Sequence, residues 1–443
     1  MHQPLPQIVK AGLKPGLERT ISLTEATIYG LGIIFGAGIY ALIGEAAGVA
    51  GNSVWLSFVL AALVASFTAL SYCELSSMFP RSAAEYMYVK NAFNSNILGF
   101  MMGWISLFVA MVSIAAVSLG FAGYFEGLFG TPLVLSAICL IAVLSIVNFL
   151  GVKESARLNI VFTTIAIGGL LLIILMGIPF FGSVDYFASV SPGVGSFEML
   201  NNVAIAAALI FFAYIGFEDI ANISEETVNA RNAVPKAILI ALVISTILYI
   251  MVSVSVVSIV PWQELAATSA PISLVAGTVY GPVAAVVFSF IALFATASTV
   301  LIILVAVSRL LYGMSSDHSL PAIIARVHSR DKTPYVSIAV TSIIAMLLVL
   351  AGNLKQVAFV TNFGIFVLFF MVNLSVVVLR LAKPGKKRVF RIPGNIGPIP
   401  LIPVFGVFAS LFMISRVEPS SAAFGAFFLL LGVPLYFILS RIK

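Results

Sequence analysis

The residues best placed to do chemistry in this chain offer main-chain atoms rather than side chains. Gly30, Gly32, Gly36 and Gly38 fall in one run, Gly30-Leu-Gly-Ile-Ile-Phe-Gly-Ala-Gly-Ile-Tyr40, inside the first long apolar stretch. Glycine is the poorest helix former after proline, so Gly36-Ala37-Gly38 predicts a helix that stops and restarts. The stop frees carbonyls carrying partial negative charge, and the restart frees N–H groups carrying partial positive charge. A small zwitterion suits such a pair of ends. The N–H groups of Gly36, Ala37 and Gly38 are expected to hold a carboxylate, as helix N-termini hold anions. The carbonyls of Ile34, Phe212 and Ile215 are expected to face an ammonium. A plainer reading of Gly32 and Gly36 is a small-residue face for helix packing.

A second interruption is predicted at Phe211-Phe-Ala-Tyr-Ile-Gly-Phe-Glu-Asp219, where Gly216 is followed by the adjacent carboxylates of Glu218 and Asp219. Charge at bilayer depth is expensive and marks a functional candidate by default. The dipole of the restarting helix would also stabilise an anion there, so both carboxylates fit a capping role as well. Asp219 is expected to face away from the site. Glu74 is expected to pair with a basic loop residue.

The elements that must position these groups are membrane helices. Hydrophobic residues form 61% of the 443-residue chain and charged residues 9%, against roughly 25% charged in a soluble domain. Apolar runs of bilayer length recur from end to end, near 23–48, 53–78, 96–125, 132–150, 156–180, 200–225, 234–260, 281–314, 335–352, 357–382, 399–415 and 421–440. The expected fold is an all-α polytopic membrane protein of about twelve transmembrane helices. The tail is placed at 1–20, a first repeat at 21–195, a second at 196–382, and a basic loop with two further helices at 383–443. Interruptions at matching positions in two halves point to an inverted repeat of five plus five spans, with spans one and six discontinuous.

The net charge of +6 could suggest nucleic acid as a partner, but its distribution argues otherwise. In this topology every lysine and arginine except Lys355 and Arg416 falls on one side. That is the positive-inside rule, and it places both termini in the cytoplasm of a multi-pass cell-membrane protein in a lipid bilayer. The run Lys383–Arg391 is read as part of this signal. Cys73 and Cys139 both fall within spans and are expected to be buried small hydrophobes. The first 20 residues contain no apolar core, so no cleaved signal peptide is expected. Connections at 181–199, 261–280 and 315–334 have room for short surface helices. An enzyme is not expected: no Gly-rich nucleotide loop is present, and His2, His318 and His328 lie in tails or loops.

Several motifs resemble the amino acid/polyamine/organocation (APC) transporter superfamily. They are Gly36-Ala-Gly-Ile-Tyr40, Phe212-Ala-Tyr-Ile-Gly-Phe-Glu218, Glu225-Glu226 with Val234-Pro-Lys-Ala-Ile238, Tyr72-Cys-Glu-Leu75, Tyr86-Met-Tyr88, and Ser308-Arg-Leu-Leu-Tyr312 with Leu320-Pro321. Ala230 departs from the Asn-Pro pair usual there. The resemblance implies a LeuT-type fold, alternating access and an amino acid or related amine as substrate. It implies an aromatic gate at Phe212 and a gating or proton-sensitive role for Glu218. It places Met111, Ile114 and Ile303 near the substrate side chain, and their apolar character favours a neutral amino acid.

A lysine that some relatives carry in span five, counted to position 166, is here alanine. In sodium-coupled members of the wider fold the corresponding site would use the carbonyls of Gly32, Phe35 and Ala295 and the hydroxyls of Ser298 and Thr299. These neutral oxygens suit Na+ as a coupling ion and no other cofactor is expected. The two hydroxyls also fit simple bonding to the carbonyl one turn back. The readings left open are proton-coupled or exchange transport of cationic amino acids or polyamines with Glu218 titrating, and a nutrient receptor or channel built on the same fold.

Overall fold

The computed structural model describes residues 19–188, 196–268, 270–350 and 354–441. Ser22 opens the first helix with a reciprocal cap: its hydroxyl accepts from the Glu25 N–H at 3.2 Å, and its own N–H donates to the Glu25 carboxylate at 2.8 Å. Helix α1 (Leu23–Ile34) then stops, and α2 (Ala37–Ala50) restarts the span. The chain continues through α3 (Val54–Met78), α4 (Ala84–Phe93), α5 (Asn96–Phe129), α6 (Leu133–Leu150) and α7 (Val152–Gly177). Next come α8 (Ser196–Ile210), a 3-10 turn at Phe211–Tyr214, the one-turn α9 (Asp219–Asn222) and α10 (Ala230–Ile259). Short helices α11 (Trp262–Ala266) and α12 (Pro271–Tyr280) fill the connection at 261–280. The chain ends with α13 (Pro282–Ser316), α14 (Tyr335–Val349), α15 (Leu354–Ala382), α16 (Leu401–Ile414) and α17 (Pro419–Arg441).

Ten stretches among the described residues are long and apolar enough to cross a bilayer, and the sheet content is two paired two-residue strands, β1 (Asn395–Ile396) and β2 (Ile399–Pro400). The chain is thus an all-α polytopic membrane protein. The expected ninth and eleventh spans are α14 and α16, of 15 and 14 residues. At 1.5 Å per residue such helices reach only about 22 Å of a core about 30 Å thick, which is why they fall outside the ten.

Helix α13 runs through the centre of the bundle against α5, α7 and α1, while α3 packs on α10. Helices α6 and α17 lie at the periphery. That placement corrects one expectation: Cys73 on α3 is buried, but Cys139 on α6 is exposed, because α6 turns only one face to the bundle. At the basic end Glu74 is buried between Arg380 (2.5 Å) and Arg388 (3.0 Å) and also accepts the N–H of Ile392 at 3.0 Å. Much of the Lys383–Arg391 charge is therefore engaged within the protein: Arg388 also donates to the carbonyls of Leu379, Lys383, Pro384 and Lys386, and Lys383 to that of Asn91.

Candidate functional site

Both predicted interruptions are present, and they touch. A Cβ at Gly38 would lie 2.3 Å from the Cα of Ala213, and one at Gly216, whose φ is +124°, would lie 1.7 Å from Cγ2 of Ile33. Glycine at both positions is what lets two backbones meet inside the bundle.

Interrupted helices leave backbone groups that a membrane interior cannot solvate, so each needs a partner. Asn362 of α15 donates to the last carbonyls of α8, Ala208 at 2.9 Å and Leu209 at 3.2 Å. Tyr249 of α10 donates to Ala213 O at 2.9 Å and also reaches Ile34 O, so one hydroxyl bridges the two breaks. Thr299 of α13 donates to Gly32 O at 3.3 Å and Ile33 O at 3.2 Å. Glu218 turns back on its own break, one carboxylate oxygen accepting the Gly216 N–H at 2.9 Å.

These bonds occupy some of the main-chain groups expected to meet a solute. The Gly36 N–H, expected to hold a carboxylate, donates to Ile34 O at 2.9 Å, and those of Ala37 and Gly38 stand in the first turn of α2, where no intrahelical carbonyl reaches them. The following N–H, of Ile39, is also in the first turn of α2 and lacks an intrahelical carbonyl. Among the expected ammonium ligands the Ile34 carbonyl already accepts from Gly36 and Tyr249, which leaves Phe212 and Ile215.

A cavity of about 50 Å3 lies beside the paired breaks, several times the room one water needs. Its walls include Ile33, Ile34, Gly38, Phe212, Ile215, Thr299 and Ile303. Met111 and Ile114 are buried but do not line it; α5 presents Ser106, Val109, Ala110 and Ser113 instead. One residue of helix register turns a side chain by 100°, enough to account for the difference. Asp219, expected to face away, lines the cavity together with Glu218; the two adjacent residues open α9 directly after the Gly216 break. Sequence reasoning missed Glu85 of α4, which also lines it. The hydroxyls of Ser106 and Ser113 and one oxygen of Glu85 are buried around this cavity with no hydrogen-bond partner among the described residues. A buried polar atom left so costs about 1–3 kcal/mol, and a polar solute would recover it.

On the other side of α1, Ser298 donates toward Gly32 O at 3.2 Å and toward Asn159 Oδ1 at 2.6 Å, with Thr163 at 3.4 Å from Ser298. Thr299 also bonds back to Ala295 O at 3.3 Å. The structure thus gathers Gly32, Ala295, Ser298 and Thr299, and adds Asn159 and Thr163 of α7. Phe35, two residues before the α2 helix, is buried. Ala166 lies two turns on from Asn159 along the same face of α7, and its carbonyl accepts from the Tyr40 hydroxyl at 2.7 Å.

The amino acid permease profile matches residues 20–436. The chain is 30% identical to the branched-chain amino acid permease BcaP of Bacillus subtilis, over 96% of this chain and 94% of that protein. It is 29% identical to the methylthioribose transporter of Bacillus subtilis over 99% of this chain and 97% of that protein. It is also 29% identical to cationic amino acid transporter 4 of Mus musculus, over 86% of this chain and 62% of that protein. With the two interrupted helices and the cavity between them, this match shows that the chain is a multi-pass membrane transporter, not an enzyme, and belongs to the amino acid permease family of the APC superfamily.

Proposed function

We propose that the protein is a secondary active transporter of a neutral amino acid, working by alternating access in the cell membrane with both termini in the cytoplasm. The observation that carries this is the contact of the two helix breaks beside a small cavity. The N–H groups of Ala37 and Gly38 offer a seat for the substrate carboxylate, the carbonyls of Phe212 and Ile215 a seat for its ammonium, and Phe212 a flat side chain to close over it. Val109, Ala110, Ile303, Val307 and Ile365 make an apolar wall on the α5, α13 and α15 side, which suits an aliphatic side chain. A five-plus-five inverted repeat would place such paired breaks at equivalent points of the two halves.

For the driving ion we propose Na+ at the junction of α1, α7 and α13. Gly32 O, Ser298, Thr299, Asn159 and Thr163 bring neutral oxygens together, and hydroxyl hydrogens can turn away to expose lone pairs. Uptake of labelled leucine into proteoliposomes tests both parts. Saturable uptake driven by a sodium gradient, abolished in the Ser298→Ala, Thr299→Ala double variant, is the expected result. Equal uptake in choline and sodium with a proton gradient alone sufficient would contradict the sodium assignment.

A second reading, a cationic amino acid as substrate, is favoured by one observation: Glu85, Glu218 and Asp219 all line the cavity. Competition of leucine uptake by excess arginine separates the two, since the neutral reading expects none.

A further inference from the structure

Glu85 sits in the first turn of α4, where Ala83, in the left-handed region at φ +60°, turns the chain into the helix. Its side chain is 2% exposed and lines the cavity. Oε1 accepts from the Tyr72 hydroxyl at 2.9 Å, whereas Oε2 is buried with no hydrogen-bond partner among the described residues. Glu218 and Asp219 line the same cavity. The Ala84 N–H donates to Asn222 Oδ1 at 2.9 Å and Asn222 Nδ2 donates to Asp219 Oδ1 at 3.3 Å, which ties α4 to α9.

The titratable groups around Glu85 are Tyr72 of α3, Tyr88 of α4 and those two carboxylates. Helices α13 and α15 turn Leu310 and Leu368 to the cavity, and no lysine, arginine or histidine lines it among the described residues. The guanidinium of Arg309 is engaged elsewhere, by Glu226 at 3.1 Å and Asn148 at 2.6 Å. Three carboxylates around one small buried cavity, with no cation among them, do not all ionise: each loses solvation and each repels the others.

We propose that Glu85 is a proton-binding residue of the transport cavity, protonated when the cavity is closed and empty. When water or a cationic group reaches it, the O–H bond breaks, the proton passes to water and the carboxylate remains. Burial raises the Glu85 carboxyl above the ordinary carboxylate range, against the hydrogen bonds it accepts, which lower it. The consequence for uptake, a dependence on pH that the neutral oxygens of the sodium site do not supply, rests on the transporter reading above; the proton itself does not.

Infrared difference spectroscopy of the reconstituted full-length chain, titrated from about pH 5 to about pH 9 across the range where an ordinary carboxylate is already ionised, reads protonated carboxyl groups directly. The wild type is expected to show a buried protonated-carboxyl component near neutral pH that Glu85→Gln lacks. Tyr72→Phe keeps the carboxyl and removes the donor that favours its charged form, so the component is expected to shift in frequency and persist to higher pH. An identical protonated-carboxyl spectrum in wild type and Glu85→Gln overturns the proposal. So does an unchanged component in Tyr72→Phe, which decides the matter if Glu85→Gln does not fold. The band present without amino acid uptake would count against the transporter reading and leave the proton site standing.

Discussion

Substituting Gly38 by alanine tests whether the two helix breaks must touch for a solute to bind. The added Cβ would lie 2.3 Å from Ala213 Cα, 2.6 Å from Ala213 Cβ and 2.9 Å from Ala213 N. Carbon atoms pack at about 3.5–4.0 Å, so the two backbones must part by roughly 1 Å, and no rotamer change relieves a contact with main chain. Overpacking of this kind costs about 1–3 kcal/mol, against a gain of about 1 kcal/mol from replacing glycine within a helix. The cost falls on the closed arrangement that forms the site, so affinity is expected to drop by about tenfold or more, tenfold being about 1.4 kcal/mol. Gly123 on α5 is the control, since a Cβ there meets nothing within 4 Å. The assay is thermal unfolding of the purified protein with and without the amino acid that most stabilises the wild type, because a ligand stabilises the state it binds. Gly123→Ala should keep the ligand shift and Gly38→Ala should show a smaller one at the same ligand concentration. An equal ligand shift in Gly38→Ala and wild type would refute the reasoning.

Two further perturbations probe the supports of the site. Tyr249→Phe removes the hydroxyl shared by Ile34 O and Ala213 O; Ile34 O keeps the Gly36 N–H, but leaving Ala213 O without this donor should destabilise the protein by about 1–3 kcal/mol and weaken substrate binding, both visible in the same unfolding assay. Glu74→Gln strands the buried guanidinium groups of Arg380 and Arg388; a loss of about 3–5 kcal/mol is expected as a lower unfolding temperature, with ligand affinity in the folded fraction unchanged because the network lies away from the cavity.

The helix breaks were legible in the sequence because glycine acts locally: Gly36, Gly38 and Gly216 announce an irregular backbone whatever surrounds them. The carboxylate of Glu218 was legible for a related reason, since charge in an apolar run stands out. The partners of the broken backbone were not. Tyr249, Asn362 and Asn159 come from helices distant in the chain, and a tyrosine or asparagine within an apolar span gives no sign of which carbonyl it will reach. The residues that α5 turns to the cavity are hard to place for a simpler reason. Helix register has to be known to one residue, and Met111 carries no local mark that fixes it. Glu85 escaped notice because ten residues of mixed polarity between two long spans read as a loop, whereas α4 folds in against α5 and α15.

The most direct test is a structure of the protein with its bound amino acid. The expected result is a carboxylate within hydrogen-bond distance of the Ala37 and Gly38 N–H groups at the start of α2, with the ammonium against the Phe212–Ile215 turn. An amino acid bound away from both breaks, or one whose carboxylate is held by a side chain while these N–H groups stay unpaired, would contradict it.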